Sequence, residues 1–166
     1  IVHKPKVVFL DEPTAGVDPI SRRDFWGLIY AMAKKGVTIL VTTHYMDEAE
    51  LCQRVGFISQ GRLAALDTPA QLKKTQMRGQ VLEISTPDPD RAMRVLKEAQ
   101  ASGSLPFDEV ALYGAQIHAV VPDAEAFKQP VRALLEDAEV GIQTIEWIAP
   151  TLEDVFISAV KSNAVA

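Results

Sequence analysis

The chain has 166 residues, 48% of them apolar and 23% charged, which is the balance of a globular protein and not a disordered one. With 17 Lys and Arg against 22 Asp and Glu its net charge is −5, which argues against nucleic-acid binding by bulk positive charge. A single cysteine, Cys52, excludes an internal disulfide and fits a reducing compartment, and no apolar run nears the roughly 18 residues that span a bilayer.

The sequence opens Ile1-Val2-His3, without Met and without a basic-then-apolar leader, and is expected to be a fragment of a longer protein. Residues 6–10 (KVVFL) form a short β-branched run, expected to be a strand buried on both faces. It ends at Asp11-Glu12-Pro13, where proline stops a central strand. Asp18-Pro19 reads as a helix cap followed by proline in the first turn. From residue 20 to 35 the apolar side chains Phe25, Leu28, Ile29 and Met32 recur at helical spacing, with Gly36 suited to the C-terminal cap. Residues 37–42 (VTILVT) are a second buried-strand candidate, leading into Thr43-His44. A short helix over 47–52 follows, then a hairpin of 55–59 and 62–66 turning at Gln60-Gly61, then a helix from Thr68-Pro69 to about residue 75.

Charge changes along the chain. Residues 1–78 carry 11 basic and 8 acidic side chains, whereas residues 79–166 carry 6 basic and 14 acidic, so two modules are expected to meet near residue 78. The second module reads as strand 80–86, helix 88–101, strands 108–113 and 115–121, helix 130–139, strand 141–148 and helix 151–161. That is a βαββαβ order with a closing helix, the ferredoxin-like pattern. Pro130 is expected in the first turn of its helix, because inside a helix it would break it. Leu152, Val155, Phe156, Ala159 and Val160 form a stripe that must bury itself or meet a partner. Glu153 and Asp154 then read as first-turn acids that suit the helix dipole, and Cys52 as a small buried hydrophobe.

Strand, helix and strand at the start of the chain read as a parallel α/β unit, whose ligands bind beyond the carboxyl ends of the strands. Asp11, Glu12, Thr43 and His44 all fall there. A strand-end carboxylate can hold Mg²⁺ and a neighbouring one can polarise an attacking water, the pair of tasks that phosphoryl transfer to water requires. A histidine on the adjacent strand end can donate to a phosphate oxygen. His3 and His118 lack such a setting and read as surface or packing residues.

The run from Val7 through Asp11-Glu12-Pro13-Thr14-Ala15-Gly16-Val17-Asp18-Pro19 resembles the Walker B and D-loop stretch of ABC-transporter ATPases, and Thr42-Thr43-His44-Tyr45-Met46-Asp47-Glu48-Ala49-Glu50 resembles their switch-histidine loop. The resemblance covers about residues 5–75. It implies that Asp11 assists Mg²⁺, that Glu12 is the general base for water, that His44 contacts the γ-phosphate of ATP, and that Asp18 reaches a partner's phosphate loop across a dimer interface. No G-x-x-x-x-G-K-[ST] phosphate loop occurs; the nearest pair, Gly56 and Gly61, is followed by Arg62-Leu63. In the family that loop and the signature loop lie upstream, so the chain is expected to be inactive alone, with an open sheet edge at 37–42 that favours a dimer. The ending from Ala149-Pro150-Thr151 to Phe156 resembles the close of the small accessory domain of exporter ATP-binding subunits. The resemblance thus implies an exporter ATPase subunit, with a transmembrane permease and a second nucleotide-binding subunit as partners and no nucleic acid. Its place would be the cytoplasmic face of the cell membrane. A regulatory or dimerisation module, and an ABC ATPase not linked to transport, are the alternatives.

Overall fold

A computed structural model describes residues 5–164 of the chain, with side chains as far as Val160; His3 lies outside the described residues. The chain is mixed α/β, and its contacts divide it into two units at Leu51/Cys52.

In the first unit β1 (Val7–Asp11) and β2 (Thr38–Thr42) form a parallel pair in the register Val7 to Thr38 and Asp11 to Thr42. They are joined by α1 (Pro19–Lys34), whose N-cap is Asp18: one carboxylate oxygen accepts from the backbone N–H of Ile20 and of Ser21, both at 3.0 Å. Gly36, with φ +83°, closes the helix in the left-handed region that glycine adopts without strain. A short helix, α2 (Met46–Ala49), ends the unit.

Two expectations fail in this unit. The strands are not buried on both faces: Phe9 is 74% and Leu40 57% exposed on the face they share with Val7. Among the described residues this sheet has two strands, and α1 is the helix packed on it. In α1 only Ile29 of the four expected apolar residues is buried, while Leu28 is exposed and Trp26 is buried instead. The helix turns its buried side toward the segment after His44, where the Tyr30 hydroxyl donates to the Leu51 carbonyl at 2.9 Å.

The second unit opens with an antiparallel hairpin, β3 (Val55–Ser59) and β4 (Arg62–Asp67). Gln60 and Gly61 turn it, both with positive φ, which matches the right-handed strand twist. α3 (Pro69–Thr75) follows, capped by the Thr68 hydroxyl, which accepts from the Gln71 N–H. Then come β5 (Gln80–Ser85), α4 (Pro89–Ser102), β6 (Glu109–Tyr113), β7 (Gln116–Val121), α5 (Ala124–Asp137) and β8 (Thr144–Ile148). The four strands lie in the order β6-β7-β5-β8, every pair antiparallel. Leu82, Ile84, Ile117, Ala119 and Ile145 from one sheet face pack against Ala92, Leu96, Val131 and Leu135 from α4 and α5.

α5 begins six residues before Pro130, which therefore sits inside the helix and not in its first turn. Asp123 supplies the start signal by capping Ala126 N–H at 2.9 Å, and Pro130 is exposed, so its ring meets solvent while Val131 and Leu135 hold the core side.

The closing helix, α6 (Leu152–Ala164), buries its stripe inside the unit: Leu152, Val155 and Ala159 are essentially inaccessible. It packs on α3 and β4, with Phe156 edge-on to Phe57 at 5.3 Å and the Ser158 hydroxyl donating to the Gln76 carbonyl at 2.8 Å. The stripe is thus not a free contact surface. Cys52, expected to be buried, is half-buried.

Candidate functional site at the ends of β1 and β2

Parallel pairing brings the ends of β1 and β2 side by side, and with them the polar residues that follow each strand. Asp11 lies opposite Thr42, whose hydroxyl donates to the Asp11 carboxylate. Glu12 is the first residue past β1. Its N–H donates to both the carbonyl and the hydroxyl oxygen of Thr42, each at 3.1 Å. It adopts φ +45°, a left-handed conformation that a non-glycine residue holds only when its surroundings impose it. That turn aims its carboxylate at His44, and Oε2 of Glu12 meets Nδ1 of His44 as an ion pair when the ring is protonated. Both side chains remain open to solvent, as a site that admits a ligand must.

Asp18 is not brought to this cluster by any contact. Its carboxylate caps α1, and the Ser21 bonds, helped by a lesser one from Ile20, hold it below the usual carboxylate range against the desolvation that opposes them. Asp11 is a single exposed oxygen donor. An exposed strand-end carboxylate such as Asp11 is the kind of donor that Mg²⁺ takes singly or in pairs, with water and substrate phosphates completing its shell; among the described residues no cluster of three metal-ligating side chains occurs.

Beneath the strand ends lies a residue that the sequence did not single out. Glu48, in α2, is 1% exposed. Its Oε1 accepts from the Thr14 hydroxyl at 2.5 Å and its Oε2 from the Thr43 hydroxyl at 2.9 Å. Arg22 Nε stands 3.5 Å from Oε1, with its guanidinium over the Tyr45 ring at 4.4 Å. An acid four residues past His44 on a four-residue helix has no periodic signature, so no local pattern marks it as buried.

The second unit carries a different polar group. His118, on β7, is buried and meets Asp154 of α6 at 2.9 Å through Nδ1, while Nε2 lies 3.5 Å from Glu83. Its ring stacks on Tyr113 at 4.1 Å. The other Asp154 oxygen accepts from the N–H and hydroxyl of Thr151, closing the start of α6.

A parallel β–α–β unit that gathers an acid pair and an imidazole at its strand ends is the arrangement of α/β proteins that bind ligands beyond the carboxyl ends of their strands. Comparison with known proteins narrows this class. The chain is 37% identical over 160 residues to the daunorubicin resistance ATP-binding protein DrrA2 of Streptomyces coeruleorubidus, covering 95% of this chain and 48% of that protein. It is 38% identical over 159 residues to the Nod factor export ATP-binding protein I of Burkholderia thailandensis, with the same two coverages. Over 73 residues, 44% of this chain and 13% of that protein, it is 56% identical to the probable multidrug ABC transporter ATP-binding protein YbhF of Escherichia coli. No protein-family model matches. The chain belongs to the ATP-binding proteins of ABC transporters, and it spans about half the length, or less, of these relatives.

Proposed function

We propose that this chain supplies the water-activating and phosphate-sensing part of an ATP-hydrolysing subunit that powers an ABC exporter. By the family resemblance residues 1–78 are the C-terminal part of the ATPase domain, of which residues 52–78 pack with the second compact unit; residues 79–166 are an accessory domain of ferredoxin-like architecture, a reading supported by the strand order β6-β7-β5-β8 and the packing of α4 and α5 on one face. The names of the relatives speak of daunorubicin resistance, Nod factor export and multidrug transport, which favours export as the work done. A transmembrane permease subunit would supply the passage, as the family resemblance implies; among the described residues no helix is long and apolar enough to cross a membrane. The subunit would sit with it on the cytoplasmic face of the membrane, paired with a second nucleotide-binding subunit.

The observation that carries the reading is the contact between Glu12 and His44 at the ends of two parallel strands. Glu12 would accept a proton from water, and His44 would hold a phosphate oxygen and report its departure through the shared contact. Asp11 would hold Mg²⁺, which when bound neutralises charge on the phosphates. Asp18 has its carboxylate engaged at the helix start, so any reach toward a partner's phosphate loop would act through the loop it anchors.

The test is Glu12→Gln in the full-length protein. ATP turnover should fall by roughly 10²–10⁴ while ATP binding persists, the usual worth of a general base. Turnover at the wild-type rate would remove Glu12 from this role and the reading with it.

A further inference from the structure

We propose that Glu48 is a positioning residue for hydrolysis: one buried carboxylate fastens the segment leaving Glu12 and the segment entering His44 to a single point. The proposal rests on the reading of Glu12 and His44 given above.

Burying a carboxylate is costly unless its oxygens are satisfied, and a well-packed apolar residue in its place is often no less stable. The two oxygens of Glu48 divide their hydroxyl donors between the two strand-end segments. Oε1 takes the hydroxyl of Thr14, two residues beyond Glu12 and itself buried; Oε2 takes the hydroxyl of Thr43, the residue before His44. Thr43 in turn accepts from the Tyr45 N–H at 3.0 Å, which clasps the chain on both sides of His44. Arg22, stacked on Tyr45, balances the charge from α1.

The result is a closed circuit. Glu12 leads through Pro13 to Thr14, across Glu48 to Thr43, on to His44, and back to Glu12 through the carboxylate–imidazole contact. From the opposite side Thr42 takes the Glu12 N–H. The left-handed turn at Glu12 has to be imposed from outside, and the circuit imposes it from both directions. Without the Glu48 carboxylate the two hydroxyls lose their common acceptor and the two segments can part. Misplacement of a reacting group by about 1 Å can cost ~10²-fold in rate, whereas most of the affinity for ATP would come from the phosphate loop that the family resemblance implies.

The experiment uses the full-length ATPase, well below each variant's melting temperature. Glu48→Ala should lower kcat by about 10–100-fold with KM for ATP within about threefold. Thr43→Val should lower kcat in the same way, and Thr43→Ser, which restores the hydroxyl, should recover it. Combining Glu48→Ala with Glu12→Gln should slow turnover by less than the product of the two single losses, because Glu48 acts in part through Glu12. Wild-type kcat in Glu48→Ala, or a full multiplicative loss in the double variant, overturns the proposal. If Glu48→Ala fails to fold, the Thr43→Val and Thr43→Ser pair decides it by the same criterion. A Glu12→Gln protein with normal turnover would instead sink the underlying functional reading, so the two failures are separable.

Discussion

His118 and Asp154 face each other at 2.9 Å, both almost wholly buried, one on the middle of a sheet and the other on the helix that closes the chain. Burial works against the charged ring, yet the hydrogen bond and charge of Asp154, with those of Glu83 behind it, outweigh it and hold His118 above its usual value near 6.5. For Asp154 burial again opposes charge, and the bonds from His118 and Thr151 prevail, holding it below 3.8. Burial, then Asp154 and Glu153, push the stacked Tyr113 phenol far up, so it stays neutral.

These shifts predict a stability plateau. A raised histidine stabilises fully below about 6.5 and loses its contribution as pH climbs through its folded value. A lowered aspartate stabilises above about 3.8 and loses its contribution as pH falls through its folded value. The melting temperature of the second unit should therefore be highest between these limits and decline on the alkaline side. His118→Gln should abolish the alkaline decline. Thermal unfolding across pH 5–9 measures both, and a flat wild-type profile above pH 6.5 would refute the clamp.

Asp18 separates two roles. Asp18→Asn keeps an oxygen for the Ile20 and Ser21 N–H groups and should melt close to wild type, since Asn caps helices as well as Asp. Asp18→Ala should melt lower, and its deficit should shrink in acid, where a carboxyl held below its usual range loses its advantage. If Asp18→Asn nonetheless slows ATP turnover in the full-length protein, the charge matters beyond the cap.

Gly79 is predicted to tolerate no side chain. A Cβ there would stand 2.4 Å from the Val121 carbonyl oxygen, where β5 begins beside β7, and the obstacle is backbone. Gly79→Ala should cost about 1–3 kcal/mol, the usual range for forcing extra atoms into a packed site, read by urea denaturation.

The local signals of this chain were legible. Asp18-Pro19, Thr68-Pro69 and Gln60-Gly61 each declare a helix start or a turn through their own backbone preferences, and each stands where expected. The βαββαβ order followed from alternation and helical spacing, while the order of the strands in the sheet had to come from coordinates. Pro130 opposes a helix interior through its missing N–H and its ring, but the Asp123 cap and the buried Val131 and Leu135 hold α5 on both sides of it. Glu48 carries no local signal, and His118 reads in sequence as a surface or packing residue, for a different reason: their polar roles are conferred by partners far away in sequence, such as Thr14 for the one and Asp154 for the other. Asp154 was half-read, as a first-turn acid, because its capping bonds are local and its tie to His118 is not. Asp11, Glu12 and His44 were legible as strand-end residues; their mutual contacts were not.

The packing of α6 on α3 and β4 bears on how pieces of such proteins can be exchanged. A chimera joined near Arg78, where charge changes sign, would divorce Phe57 and Leu72 from the helix that shelters them and leave the hairpin poorly clothed. A junction at Leu51 keeps hairpin, sheet and closing helix from one parent, so recombinants spliced there should inherit a unit that already fits itself.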